Sequence, residues 1–209
     1  MTVLFPPFAH SVSAYVERLP QLLSPDAFGL NGTWASDGDF AKNLQGYAKR
    51  KPFGFFAKTG FIKKCVSAFR KELPFPLKNL RFPFDFRANA YMTDSGDLSL
   101  SLGLIQKNNF YRLNALLLHE LSHLILSAQK EYEILLALDK AFLNAYPNEK
   151  AAPVLSPVEL YATALSTVLL RASAALLEEK DKAEFERQAN LEEEKLKRAY
   201  AEFSAAQTK

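Results

Sequence analysis

The chain has 209 residues, 48% apolar and 23% charged, and its 26 lysines and arginines against 23 acids leave a formal net charge of +3. These values suit a globular protein that can bury a sizeable core, and the charge is too small to imply a partner by itself. No run of about 18 apolar residues occurs, which excludes a predicted membrane span, and the lone Cys65 excludes an internal disulfide and fits a reducing compartment.

The first stretch, MTVLFPPFAHSVSAYVERLP, lacks a basic segment followed by a long apolar block and a small-residue cleavage site, so a cytoplasmic product is expected. Residues 1–80 predict a helical N-terminal segment. Its candidates are AHSVSAYVERLPQLL, with Ser11 or Ser13 as N-cap, then DFAKNLQGYAKR and TGFIKKCVSAFRKEL. Cys65, in the last of these, is expected to be a small buried hydrophobe. From Lys42 to Arg87 there are twelve lysines and arginines against only Glu72 and Asp85, interleaved with many phenylalanines. The plainer reading is a phenylalanine-rich core segment with a solvated lysine face. The alternative is a surface that holds nucleic acid by phosphate contacts and base stacking, or an acidic partner.

Residues 81–175 predict the functional core. DLSLSLGL alternates strictly, with Leu98, Leu100, Leu102 and Leu104 on one face and Ser99, Ser101 and Gly103 on the other. With FRANAYMT before it and DSGD between, a β-hairpin is expected over 86–106, its serine face polar or lining a cleft. Phe110 to Tyr146 contains no proline or glycine and reads as one long helix, or two nearly collinear ones with a break at SAQK. Asn108 or Asn109 would cap it. After the loop YPNEKAAPVLSP a second apolar helix begins, with Ser156 at N-cap, Pro157 at N1 and Glu159 at N3. Residues 176–209 predict a charged C-terminal helix, which Phe185, Leu191, Leu196, Tyr200 and Phe203 could dock on the body or on a partner. The expected fold class is α+β: mainly helical, with a small antiparallel sheet or hairpin beside the helix described next.

That helix carries ALLLHELSHLILSA, in which HELSH fits His-Glu-x-x-His. Imidazoles four residues apart project from one helical face a turn apart and can share a zinc ion. Glu120 points about 100° round the axis, beside the metal, where a general base acting on water belongs. Burying a glutamate and two imidazoles among Leu117, Leu118, Leu121 and Leu124 costs several kcal/mol unless something compensates, and a divalent cation compensates all three. His119 and His123 are therefore metal-ligand candidates and Glu120 the catalytic candidate.

A catalytic zinc takes three protein ligands. No histidine follows His123, and His10 lies far upstream in a proline-bounded segment. Glu131 and Glu133 sit two to three turns along the same helix, too far up the axis, with Asp139 farther still and Glu149 in a loop. Glu159, on the next helix among apolar residues, is the preferred third ligand. Capping-box geometry alone also accounts for a glutamate at N3, and a carboxylate occupied there cannot easily ligate a metal.

His119-Glu120-Leu121-Ser122-His123, followed on a later helix by Glu159, resembles the gluzincin branch of zinc metallopeptidases. The resemblance covers roughly residues 86–170 and implies a zincin-like fold, a zinc cofactor and peptide or protein substrates. It also implies that an edge strand pairs with the substrate backbone, a role that would fall to segment 86–106 and particularly to LSLSLGL. Members with Glu-x-x-x-Asp keep an acid four residues after the glutamate, where this chain has Thr163, which removes support for a histidine ligand. ELYATALSTVLL more loosely resembles the Glu-x-x-Ala helix of ImmA/IrrE-type intracellular metallopeptidases, whose partners are often DNA-binding regulators. The expected activity is metal-assisted peptide hydrolysis. Its rival is a metal-stabilised binding protein without turnover that uses segment 42–87.

Overall fold

Two strongly apolar stretches of the chain form helices that pack on each other and carry all three ligand candidates. The computed structural model describes residues 38–50, 54–73, 75–93, 96–145 and 155–207, with positions 17 and 21. His10, the caps at Ser11 or Ser13, and Glu149 lie outside the described residues. In chain order come α1 (Asp39–Arg50) and α2 (Phe55–Glu72), then strands β1 (Asn79–Arg81), β2 (Ala90–Met92) and β3 (Asp97–Leu100). The helices α3 (Leu102–Lys107), α4 (Phe110–Ser127), α5 (Tyr132–Ala145), α6 (Pro157–Ala174) and α7 (Glu179–Gln207) follow. The molecule is thus mostly helical with one small sheet, an α+β arrangement. No helix among the described residues is long and apolar enough to cross a membrane.

Asn109 starts α4 by accepting the Arg112 backbone N–H on its side chain at 2.9 Å, which satisfies one of the helix's orphan donors. The helix ends without glycine or proline. Ser127 Oγ donates to the Leu124 carbonyl and Gln129 Nε2 to that of Ile125, so side chains take up the last carbonyls. Residues 128–131 turn, and α5 starts afresh. The break at SAQK is as expected, but it redirects the chain, with consequences for the site. Leu118, Leu121 and Leu126 of α4 are completely buried, each contributing about 1.5–3 kcal/mol of hydrophobic stabilisation. Polar residues on these helices are tolerated because Asn114 and Ser122 donate to carbonyls one turn back, as does Thr163 on α6.

The sheet has strand order β1-β3-β2. β2 pairs with β3 antiparallel, Tyr91 opposite Ser99, whereas β1 pairs with β3 in parallel, Leu80 opposite Leu98. The expected hairpin thus forms between β2 and β3, and the parallel β1 makes the sheet mixed rather than antiparallel throughout. The alternation in DLSLSLGL also overreaches: the strand stops at Leu100, and Ser101 caps a short helix by accepting the Leu104 N–H. Its serine face is not wet, since Ser99 and Ser101 are both 2% exposed. At Gly103 the amide donates to the Asp85 carbonyl, and a Cβ would lie 2.1 Å from the Phe86 oxygen. Only glycine lets the chain leading to β2 cross that close. Lys58 is buried at the far end of α3, where its Nζ donates to the carbonyls of Ile105 and Asn108 and replaces the missing helical donors.

Cys65 is fully buried, as expected. α7 is the charged helix foreseen, docked by Phe185, Ala189, Leu196 and Ala199 rather than by Leu191, which is 46% exposed. Buried Glu192 pairs with Arg112 and Lys195, and Glu193 with Arg171, so part of its charge faces inward. One continuous core runs from Phe40 through α4 and α6 to Ala199.

Candidate metal centre

His119 and His123 stand one turn apart on α4 with their Nε2 atoms 3.3 Å from each other. Glu159, in the first turn of α6, completes the group: Oε2 lies 3.3 Å from His119 Nε2 and Oε1 3.4 Å from His123 Nε2. The sequence-predicted trio is brought together, and its three side chains could hold a metal ion.

In the first turn of α6 the donors at N2 and N3 are met by other residues. Pro157 at N1 has no N–H, the Val158 N–H donates to Asp139 Oδ1 at 2.9 Å, and the Glu159 N–H donates to Ser156 Oγ. The first-turn donors are thus met by proline chemistry, Asp139 and Ser156. The Glu159 carboxylate turns to the imidazoles, so only the serine half of the expected capping box forms.

Asp139 is the residue that reasoning from sequence placed too far away. Because the chain turns at 128–131, α5 is not collinear with α4, and Asp139 lines the same cleft as His119 and His123. Its charge also sits at the positive end of α6, a favourable position. No periodicity in the sequence signals that turn's direction. Glu131 and Glu133 stay outside the trio.

Glu120 is 9% exposed and borders the cleft. Burial pushes its carboxyl pKa up, and the neighbouring histidines oppose that rise only in part. Glu159 is held well below the usual carboxylate range by hydrogen bonds from His119 and His123. Burial works against protonation of His123, but the hydrogen bond and charge of Glu159, with the charges of Glu120 and Asp139, outweigh it and hold its pKa above the ordinary imidazole value. A raised folded-state pKa contributes stability that is complete below the unfolded value of 6.5 and lost as pH rises through the folded value. Metal-free protein is therefore expected to melt lower at about pH 8 than at about pH 6, with the difference shrinking in His123→Gln. A parent that melts higher at the upper pH, by calorimetry in chelator, contradicts this sign.

His119 Nδ1 is buried and, among the described residues, meets no hydrogen-bond partner. At the position where Glu-x-x-x-Asp members keep an acid, Thr163 spends its hydroxyl on the Glu159 carbonyl at 2.7 Å. His119, as a candidate ligand, thus has among the described residues no outer partner of the kind that fixes a ligand's orientation.

The trio opens on a cleft of about 500 Å³ flanked by β2. Thr93 N donates to the Asp97 carbonyl and Ser101 N to that of Asn89, so odd positions of this strand face β3. Ala90 and Met92 therefore turn their N–H and C=O groups to the outer edge. LSLSLGL, expected in the edge role, supplies the central strand instead. Past Met92, Tyr132 and Leu136 the cleft continues into a hollow of about 440 Å³ whose lining includes Leu124 and Pro76. Tyr91 and Tyr132 border the cleft, whereas Tyr161 is fully buried.

Comparison with protein-family models, with curated proteins and with solved structures finds no match.

Proposed function

We propose that this protein is a zinc-dependent peptidase of gluzincin type, acting in a reducing, cytoplasmic environment. The observation that carries the reading is the spacing of the three donors, 3.3, 3.3 and 3.4 Å. Zinc bonds of about 2.0–2.1 Å arranged tetrahedrally put ligand atoms about 3.3–3.4 Å apart. The chemistry of the set also fits, with two imidazoles and one carboxylate leaving a fourth position open.

His119, His123 and Glu159 would hold a zinc ion, which would supply Lewis acidity toward a water and a developing oxyanion. Glu120, its proton affinity raised by burial, takes the proton of the attacking water and passes it to the leaving amine. Ala90 and Met92 receive an extended substrate backbone as an added strand, and the Met92–Leu136 hollow takes an apolar side chain.

Cleavage of a mixed peptide library by zinc-loaded protein, read by mass spectrometry, tests the reading. Cuts beside apolar residues that stop with chelator and return with zinc are expected. Absence of any cut by protein verified to carry one zinc sinks it.

A further inference from the structure

Away from the three ligand candidates, some of the basic and aromatic residues of segment 42–87 lie along one side of α2. The chain from Leu77 to Phe84 runs beside α2 in the opposite direction. Near the end of α2, the two enclose a groove of about 460 Å³ walled by Lys63, Arg70, Lys71 and Lys78, with no carboxylate among its lining residues. Farther back the Phe82 ring lies 5.7 Å from Lys63 Nζ, and farther still Phe84 sits 6.4 Å from Phe55. From Phe55 to Arg70 the helix advances about 22 Å.

Much of this surface is left unsatisfied. Lys71 pairs with Asp39 at 2.7 Å. Among the described residues, Lys63, Arg70 and Lys78 have no carboxylate partner. Phe56 and Phe84 are 87% and 83% exposed, although burying such a ring is worth a few kcal/mol. So the segment is not only a core with a solvated lysine face: Phe61 and Phe69 are core, while Phe56, Phe84 and the cations face outward.

We propose that this stripe, the outer face of α2 with residues 77–84, binds single-stranded nucleic acid. Phosphates lie along Lys63, Arg70 and Lys78, and bases stack on the faces of Phe84 and Phe56. The alternation favours a nucleic-acid strand over an acidic peptide, which would use the cations and leave both rings in water. A duplex offers no unstacked base to the rings. Lys78 also borders the hollow beyond the cleft, but the stripe uses none of His119, His123 or Glu159, so it stands whether or not the peptidase reading does.

Fluorescence anisotropy with the full-length chain and a labelled oligothymidylate of about 12 nucleotides tests it. Three phosphate contacts on a single strand predict a slope of log K against log salt of about −2. Arg70→Gln combined with Lys78→Gln should flatten that slope to about −0.7. Phe84→Ala should weaken binding about 5- to 100-fold without changing the slope. All three side chains are exposed, so circular dichroism should be unchanged. No binding by the parent at low salt overturns the proposal. So does equal affinity for polyglutamate with Phe84→Ala indistinguishable from the parent, which would assign the groove to an acidic protein.

Discussion

Glu120→Gln is expected to lower kcat by about 10²–10⁴-fold, the range for removing a positioned general base, while zinc is still bound and the protein is no less stable. The two halves come from the same geometry. Glu120 borders the cleft with His119 and His123 but is not one of the three side chains grouped around a common point. Its amide isostere therefore leaves the ligands in place and removes only the proton acceptor. Burial is the largest influence on this carboxyl and raises its pKa, so ionised Glu120 carries a desolvation cost that glutamine does not. The melting temperature should hold or rise as activity disappears. Full turnover in the variant with zinc bound would mean that another group moves the proton, and the mechanism would be wrong.

Removing a ligand should do the reverse: lose the metal and, with it, the stability that the metal confers. Zinc that binds the folded chain at 100 times its Kd adds about 2.7 kcal/mol, visible as a rise in melting temperature on titration. In Glu159→Ala that rise should vanish over the same zinc range, because two imidazoles alone leave the tetrahedron half filled. In Asp139→Asn, where the amide oxygen can still accept the Val158 N–H, the rise should persist. Asp139 then acts through the first turn of α6 rather than as a ligand. An undiminished zinc shift in Glu159→Ala would return that glutamate to its capping role and leave the metal without its third protein donor.

How legible this was depended on the range of the interactions involved. HELSH on an apolar helix could be read because four-residue spacing fixes both imidazoles on one face before any tertiary contact is made. Ser156 and Pro157 announced the start of α6 for the same local reason. Glu159 has two roles open to it in the sequence, because the direction of its carboxylate depends on tertiary packing; in the structure it points at the two imidazoles. The turn at 128–131 that delivers Asp139 has no glycine or proline, and its direction is set by packing. The sheet misled for a related reason. Leucine-serine alternation continues from Leu98 through Leu102, but both faces there are buried, so the polar positions did not mark solvent. A serine able to cap ended the strand four residues early. β1, three residues between prolines, pairs in parallel with a partner 18 positions away and has no local signature.

The central claim is that His119, His123 and Glu159 exist together to hold zinc, and elemental analysis tests it most directly. Parent protein and His123→Ala, both purified without a metal-affinity tag and dialysed after exposure to zinc, would be measured side by side. The account predicts about one zinc per chain in the parent and essentially none in the variant. No zinc in the parent, or equal zinc in both, would contradict it.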